Sequence, residues 1–276
     1  MTDVPPRSAR MCVAEPDVEL PLRPSFQRND IDVYVCASCG TYVCDAPYDA
    51  DQYNESYYTI AAQDRASLES RWGFRWRYVL DRIRKQAPES SSILDVGAGN
   101  GLFVKLAAEE FDLRATGIEI SRPSVEFAQA TLGVDLIEED LNEHLGTYDV
   151  VTAFSVIEHV ADPRAMVRSL AQHTEPGGLV VVATPSPASI QRRVRGERRW
   201  GMICPPHHLN IFTRRGLEQL LAEEGLEVLD WEAISTSVKA VRRIDTDSEL
   251  LRRSIFQALR ATSLGADQLV FARKTG

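Results

Sequence analysis

The chain has 276 residues, of which 44% are hydrophobic, and its formal net charge is −9. This length suits one α/β domain with additions, and the hydrophobic content suffices for a sizeable core. A pI near 5.2 gives no global basic field, which argues against a protein dedicated to nucleic acids. No segment approaches the ~20 apolar residues of a membrane span, and no apolar leader is present, so we expect a cytoplasmic protein without a membrane span.

The first 47 residues read as a disordered start followed by a small cysteine knuckle. Cys36 and Cys39 have the Cys-x-x-Cys spacing of two thiolates on one turn, and Cys44 follows soon after. A complete zinc ribbon needs a second Cys-x-x-Cys pair, and this chain has only Cys12 in that place. Zinc held by Cys12, Cys36, Cys39 and Cys44 is one interpretation, and a β-hairpin that packs without metal is the other.

Residues 48–90 form a predicted helical linker. The segment 65–84 spaces its large apolar residues for one face of a helix, which places Trp72 and Trp76 in the core. Tyr53 and Tyr57 have two alternative roles: they pack in the core, or they cover a bound ligand.

The next feature is a glycine-rich turn between a short apolar strand, 92–96, and an apolar helix pattern. Its glycines occur at every second position: Gly97, Gly99 and Gly101. A turn of this kind binds nucleotides in open α/β sheets, because glycine lets a ligand approach the backbone. The NAD-type spacing requires a third glycine where the chain has Leu102. Glu119 closes the following strand, 114–120, about twenty residues on, where a carboxylate can accept both ribose hydroxyls.

Segments 94–101 and 117–121 resemble the first two motifs of the class I S-adenosylmethionine-dependent methyltransferases. The Glu-His-Val-x-Asp-Pro sequence at 158–163 is similar to the subgroup that contains the quinone-biosynthesis methyltransferases. Further strands are expected at 134–137, 148–155 and 179–184, the last after a tight Pro-Gly-Gly turn. The resemblance runs in order over roughly residues 50 to 235.

The resemblance implies a cofactor site and a lid over it. Glu119 would hold the ribose, Asp140 the adenine amino group, and Phe154 one face of the pocket. The complete set of implied cofactor-binding residues is Asp95, Gly97, Ala98, Gly99, Gly101, Glu119, Ile120, Asp140, Leu141 and Phe154. In the subgroup the region 48–90 is the lid, and many members carry an N-terminal zinc ribbon, of which this chain has a degenerate version.

Histidines mark the predicted acceptor side. His208 lies in a loop that follows strand 179–184 and precedes a helix capped by Thr213, at the carboxyl edge of the sheet. With a pKa near 6.5, histidine can deprotonate a hydroxyl nucleophile at neutral pH. His208 aligns with a histidine that borders the substrate in the subgroup and is the first candidate for a general base. His159 is the second, with a hydrogen bond at a helix start as its alternative role.

Five arginines occur within 192–199, next to this loop. Such a run usually forms a solvated face. Its alternative role is recognition of a phosphate or carboxylate by guanidinium groups. That role would suit an acceptor that is phosphate-bearing, such as a nucleotide-linked sugar, or bound to a carrier protein.

Together these features predict a doubly wound, seven-stranded, mostly parallel sheet over 91–276, with helices on both faces. Strands 226–234 and 266–274 would close it as an antiparallel hairpin, with a helix at 247–262 between them.

The expected function is methyl transfer from S-adenosylmethionine to a small-molecule acceptor in bacterial secondary or cofactor metabolism, with oxygen favoured over carbon or nitrogen. The alternatives are an NAD-dependent oxidoreductase and a non-catalytic protein that binds S-adenosylmethionine.

Overall fold

A computed structural model of the chain describes residues 22–47, 64–235 and 249–276. Three residues that the sequence analysis singled out, Cys12, Tyr53 and Tyr57, lie outside these ranges, as does the start of the chain.

The described residues form eleven strands in two sheets. In chain order the strands are β1 (Arg23–Arg28), β2 (Ile31–Val35), β3 (Tyr42–Cys44), β4 (Ser92–Val96), β5 (Arg114–Glu119), β6 (Ile137–Glu138), β7 (Tyr148–Phe154), β8 (Thr174–Pro185), β9 (Asn210–Ile211), β10 (Leu226–Ile234) and β11 (Asp267–Lys274). The larger sheet has seven strands in the order β10-β11-β8-β7-β4-β5-β6. Neighbours among β4 to β8 are parallel, whereas β11 is antiparallel to both β8 and β10. The predicted fold class is therefore confirmed.

Two strands differ from the prediction in their bounds. The strand expected at 134–137 is reduced to two residues at the sheet edge, Ile137–Glu138. β8 begins five residues early because Thr174 pairs with Tyr148 before the register shifts and Leu179 pairs with Val150. The Pro-Gly-Gly sequence is thus an irregularity inside β8, where one strand carries extra residues against its partner.

Eight α-helices connect or cover the strands in the described ranges: α1 (Arg65–Leu68), α2 (Phe74–Gln86), α3 (Leu102–Phe111), α4 (Arg122–Phe127), α5 (Pro163–Gln172), α6 (Ile190–Arg195), α7 (Arg214–Glu223) and α8 (Glu249–Thr262). A π-helical turn, Glu69–Gly73, joins α1 to α2. Thr213 caps α7 as predicted, because its hydroxyl accepts from the Gly216 amide at 3.1 Å. None of the described helices has both the length and the apolar character needed to cross a membrane.

Alternate side chains of the central strands point to two apolar layers. Val180 and Val182 of β8 pack on the side of α5 and α7, while Leu179 and Val181 pack on the side of α2 and α3. All four are at most 1% exposed. A strand covered on both faces has no polar side, which explains the continuous apolar run in the sequence.

The smaller sheet, in the order β1-β2-β3-β9, joins the N-terminal segment to the loop after β8. β3 pairs with β9 through Tyr42 opposite Ile211, and the Cys44 amide donates to the Leu209 carbonyl at 2.9 Å. The cysteine segment therefore supports the loop that carries His208.

Candidate active site

The glycine turn between β4 and α3 has a backbone that favours glycine. Gly97, Gly99 and Gly101 have φ values of 69°, 55° and 77°. A Cβ on Gly97 would lie 2.6 Å from the Val156 side chain, whereas a Cβ on Gly99 would meet nothing within 4 Å. Gly97 thus permits close packing, and Gly99 borders open space that a ligand can occupy.

Glu119 fixes the end of β5 against this turn. Its two carboxylate oxygens accept from the amides of Gly99 at 2.8 Å and Ser121 at 2.9 Å. The residue is only 5% exposed, and burial raises the pKa of its carboxyl while these amides act in the opposite direction. The carboxylate is therefore held in place beside the turn.

A cavity of about 300 Å³ opens beside Glu119. Half of the predicted cofactor-binding set lines it: Gly97, Glu119, Ile120, Asp140 and Leu141. Asp140 is exposed at the rim, where its carboxylate accepts from the Asn142 amide at 2.9 Å. The opposite wall is apolar and includes Val156, Val160 and Met166. A polar rim on an apolar pocket is the usual form of a small-molecule site.

The other predicted cofactor residues do not line this cavity: Asp95, Ala98, Gly99, Gly101 and Phe154. Asp95 is 3% exposed and accepts a hydrogen bond from the Thr152 hydroxyl at 2.6 Å. Burial raises the pKa of Asp95 to about 7. The Asp95 side chain is therefore buried at the base of the turn, where it is hydrogen-bonded to another residue of the protein.

Phe154, at the end of β7, belongs to an aromatic cluster. Its ring lies 5.0 Å from Trp76 and 4.9 Å from Phe103. Trp72 and Trp76 are partly buried against the same core, as the sequence analysis expected. The structure therefore gives Phe154 a packing role with α2 and α3, where the resemblance had implied a wall of the cofactor pocket.

A second polar cluster, Glu158, His159 and His208, forms where the loop after β7 meets the loop after β8. The Glu158 carbonyl accepts from the amides of Leu209 at 2.8 Å and Asn210 at 3.1 Å, which holds the two loops together. The rings of His159 and His208 meet edge to face with centroids 4.7 Å apart. The structure thus brings together the two histidines that the sequence had proposed for catalysis.

Burial governs the protonation of this cluster. It lowers the pKa of His159 to about 3 and of His208 to about 4, and raises the pKa of Glu158 to about 8. The Nδ1 atoms donate to backbone carbonyls, His159 to His207 at 2.9 Å and His208 to Met202 at 2.6 Å. Because a carbonyl only accepts, each neutral ring carries its proton on Nδ1 and a lone pair on Nε2.

A family model described as a methyltransferase domain matches residues 71–230, more than half of the chain. The protein is a class I S-adenosylmethionine-dependent methyltransferase. Family membership decides between the two interpretations of the glycine turn, and the NAD-dependent alternative is wrong, in agreement with Leu102 at the position where a third glycine would be needed.

A curated relative supports this assignment. This methyltransferase is 34% identical over 197 residues to a protein of Vibrio parahaemolyticus named ubiquinone biosynthesis O-methyltransferase, with 63% of this chain and 80% of that protein covered.

Solved structures agree on the fold. A methyltransferase from Archaeoglobus fulgidus described as SAM-dependent matches with a TM-score of 0.52 and 21% identity, over 76% of this chain and all of that one. The [4+2]-cyclase SpnF matches with a TM-score of 0.51 and 19% identity, over 72% and 80% of the two chains. One fold therefore serves different reactions, and it is the family match that identifies this chain as a methyltransferase.

The apolar wall of the cavity in this methyltransferase was not predicted from the sequence. Val160 and Met166 reach the cavity because α5 begins between them, where the Asp162 carboxylate accepts from the Ala165 amide at 3.0 Å. The Asp-Pro pair, Asp162 followed by Pro163, was a usable signal, since a capping residue followed by proline marks a helix start.

The four-cysteine zinc site stays a prediction, because Cys12 lies outside the described residues. Cys36 and Cys39 are buried with Val43 on one side of the small sheet, whereas Cys44 is buried on the other side with Tyr42. Cys44 therefore packs in a different cluster from Cys36 and Cys39, and these three thiols do not form a group at metal-binding distances. Among the described residues, the one group with ligand atoms close enough for a metal is Glu158, His159 and His208.

The arginine run divides between contacts within the protein and the surface. Arg192 lies over the ring of Tyr42, donates to its hydroxyl at 2.6 Å and pairs with Glu197 at 3.5 Å. The remaining four are exposed: Arg193, Arg195, Arg198 and Arg199. Arg192 thus joins α6 to the N-terminal sheet.

Proposed function

We propose that this methyltransferase transfers a methyl group to a hydroxyl oxygen of a small-molecule acceptor. The observation that supports cofactor binding is the cavity beside the glycine turn, which is lined by Glu119, Asp140 and several apolar side chains. The two carboxylates suit the ribose hydroxyls and the adenine amino group, and the apolar wall suits the adenine ring.

The cofactor's charge also suits this end of the sheet. S-adenosylmethionine is a sulfonium cation, and Asp95 and Glu119 are both buried carboxyl groups close enough to influence each other's ionisation. A cation bound beside them would favour their ionised forms. We assign Asp95 to this indirect role, and Gly99 to the open space that the cofactor's amino-acid end would fill.

The reaction needs little covalent chemistry from the protein. An acceptor oxygen attacks the methyl carbon in line with the sulfur, the carbon–sulfur bond breaks, and the sulfur keeps the electron pair as a thioether. The hydroxyl proton leaves to a base or to solvent. Catalysis would rest mainly on holding the oxygen against the methyl carbon.

The choice of oxygen is supported by the relatives rather than by the cavity. The Vibrio relative is named an O-methyltransferase, and a second one, from Xanthomonas axonopodis, carries the same name at 29% identity, with 56% of this chain and 70% of that protein covered. Carbon and nitrogen acceptors are the alternatives. His159 and His208 are the residues we propose near the acceptor, since they belong to a cluster separate from the cofactor cavity.

A labelling experiment tests the proposal. The purified protein is incubated with S-adenosylmethionine bearing a deuterated methyl group and a panel of catechols, amines and acidic carbon compounds. We expect label in the catechol ethers, found by mass spectrometry and assigned to oxygen by NMR. Label only on nitrogen or carbon would contradict O-methylation, and binding of the cofactor without any turnover would favour the non-catalytic alternative.

Recognition of a phosphate-bearing or carrier-bound acceptor is a further part of the proposal. Its support is the exposure of Arg193, Arg195, Arg198 and Arg199 on one short segment. Replacing Arg198 and Arg199 by Ala should raise KM for phosphorylated acceptors only.

The proposed compartment is the cytoplasm, which fractionation of the source cells would test.

A further inference from the structure

The cluster of Glu158, His159 and His208 contains a buried carboxylate oxygen that lacks a partner. Glu158 is 1% exposed, and its Oε2 accepts from the Thr184 hydroxyl at 2.9 Å. Its Oε1 is buried and makes no hydrogen bond. A buried polar atom without a partner is costly, and such atoms in folded proteins usually face a ligand, an ion or water.

Both histidine rings are oriented as metal ligands usually are. In metal sites the nitrogen that does not bind the metal typically donates to a backbone carbonyl or a carboxylate, which fixes the ring and its tautomer. Here Nδ1 of His159 donates to the His207 carbonyl, and Nδ1 of His208 donates to the Met202 carbonyl. In each ring Nε2 therefore carries the lone pair that is able to bind a metal.

The distances bring three potential ligand atoms near one another, and a bound metal ion would require the site to close around it. One potential ligand atom from each of the three residues lies within 4.8 Å of the others. Glu158 Oε1 and His159 Nε2 are 3.9 Å apart. Ligand atoms at ~2.1 Å from a tetrahedral zinc ion lie ~3.4 Å from each other, so this pair must approach by about half an ångström.

We propose that Glu158, His159 and His208 bind a divalent first-row metal ion, with zinc as the expected occupant. Two imidazoles and one carboxylate form a known ligand set for catalytic zinc, in which a fourth position stays open. His159 and His208 retain exposed fractions of 8% and 7%, which leaves a route for an exchangeable fourth ligand. The site is distinct from the cofactor cavity and from the cysteine knuckle.

The location of the site suggests that the metal activates the acceptor hydroxyl. This role rests on the proposed function, whereas metal binding itself does not. Glu158 follows β7 directly and contacts Thr184 near the end of β8, at the carboxyl edge of the sheet. A hydroxyl oxygen of the acceptor in the open position would have its pKa lowered by the metal. The proton would leave to solvent, the acceptor oxygen would bond to the methyl carbon, and the sulfur would keep the electron pair of the broken carbon–sulfur bond.

Metal binding can be tested without turnover. The full chain is stripped with a chelator and titrated with Zn²⁺, with bound metal measured by elemental analysis, and with Co²⁺, followed by its visible absorption. We expect one equivalent of each metal, and a Co²⁺ spectrum without thiolate charge-transfer bands. The absence of those bands would separate this site from the cysteines.

Three variants locate the site. Glu158→Gln and His208→Ala should each weaken Zn²⁺ binding by more than about 100-fold, since loss of a mere outer-shell partner already costs 10- to 100-fold. His207→Ala is the matched control, because His207 contacts His159 through its backbone carbonyl, which the substitution retains. Circular dichroism checks the fold, and Glu158→Gln, which keeps the side-chain shape, carries the test if His208→Ala misfolds.

Two results would overturn the proposal. One is wild-type protein that binds neither metal, which would mean that a protonated Glu158 shares its proton with the imidazoles. The other is equal metal content in the wild type, Glu158→Gln and His208→Ala. If O-methylation fails while stoichiometric, Glu158-dependent binding persists, the metal site stands and the proposed function does not.

Discussion

The cofactor cavity and the Glu158, His159 and His208 cluster lie at the same edge of the sheet but are built in different ways. The cavity depends on a short glycine turn and the next strand end, where Gly99 and Glu119 are joined by one backbone-to-carboxylate hydrogen bond. The cluster joins two loops that follow different strands, and it is supported by the N-terminal sheet through Cys44 and Leu209.

This difference explains why the two regions should respond separately to substitution. The polar lining of the cavity combines the backbone of the glycine turn with acidic side chains, among them Glu119, Asp140 and Asp162. The cluster consists of three buried polar side chains that lie close to one another, and the effects of substitutions in such clusters are not additive. The predictions below test this separation.

The largest effect is expected in the histidine cluster. His208→Ala should lower turnover on the acceptor by on the order of 10²–10⁴, whether the ring acts as a base or as a metal ligand, because either role is lost completely. Affinity for S-adenosylmethionine, measured by calorimetry, should stay nearly unchanged, since His208 does not line the cofactor cavity. Loss of cofactor binding would show that the two regions are one site.

The opposite pattern is expected at the glycine turn. Gly99→Val should weaken cofactor binding by at least about 100-fold, about 2.7 kcal/mol, because the side chain fills the open space beside the turn. Gly133→Val is the matched control: Gly133 also has a positive φ, 65°, and open space around a built Cβ, but it lies away from the cavity. Equal affinities in the two variants would remove Gly99 from the cofactor site.

A smaller change is expected at the end of β5. Glu119→Ala should weaken binding of S-adenosylmethionine by about 1.5–3 kcal/mol, the range for hydrogen bonds to a charged group. The neighbouring Glu138→Ala serves as the control, because Glu138 pairs opposite Glu119 in β6 but does not line the cavity. Calorimetry that found native affinity in Glu119→Ala would refute the ribose assignment.

The last effect concerns the pH dependence of stability at Asp95, rather than binding or turnover. Burial raises the pKa of Asp95 to about 7, above the ~3.9 of an unfolded chain, so the folded state binds the proton more tightly. The free energy of unfolding should therefore decrease as pH rises from about 4 to about 7, by up to about 1.4 kcal/mol per pH unit, relative to Asp95→Asn.

Urea denaturation of the wild type and Asp95→Asn across that range measures the difference. The exposed Asp135→Asn is the control and should follow the wild type. Parallel curves for the wild type and Asp95→Asn would contradict a raised pKa of the Asp95 carboxyl group in the folded state.

The sequence by itself determined the features that depend on neighbouring residues. The positive φ of Gly97, Gly99 and Gly101 follows from residue type, and the apolar run of β8 follows from burial on both faces. The position of Glu119 follows from its place at the end of the next strand. These properties are local, so composition and spacing suffice to predict them.

Only the tertiary structure decided which distant side chains meet. Cys44 packs in a different cluster from Cys36, and Phe154 packs against Trp76 of a helix far away in the chain. His208 meets Glu158 because backbone hydrogen bonds join their loops after folding. Such contacts depend on how elements far apart in the chain pack together, and neither spacing nor composition specifies that packing.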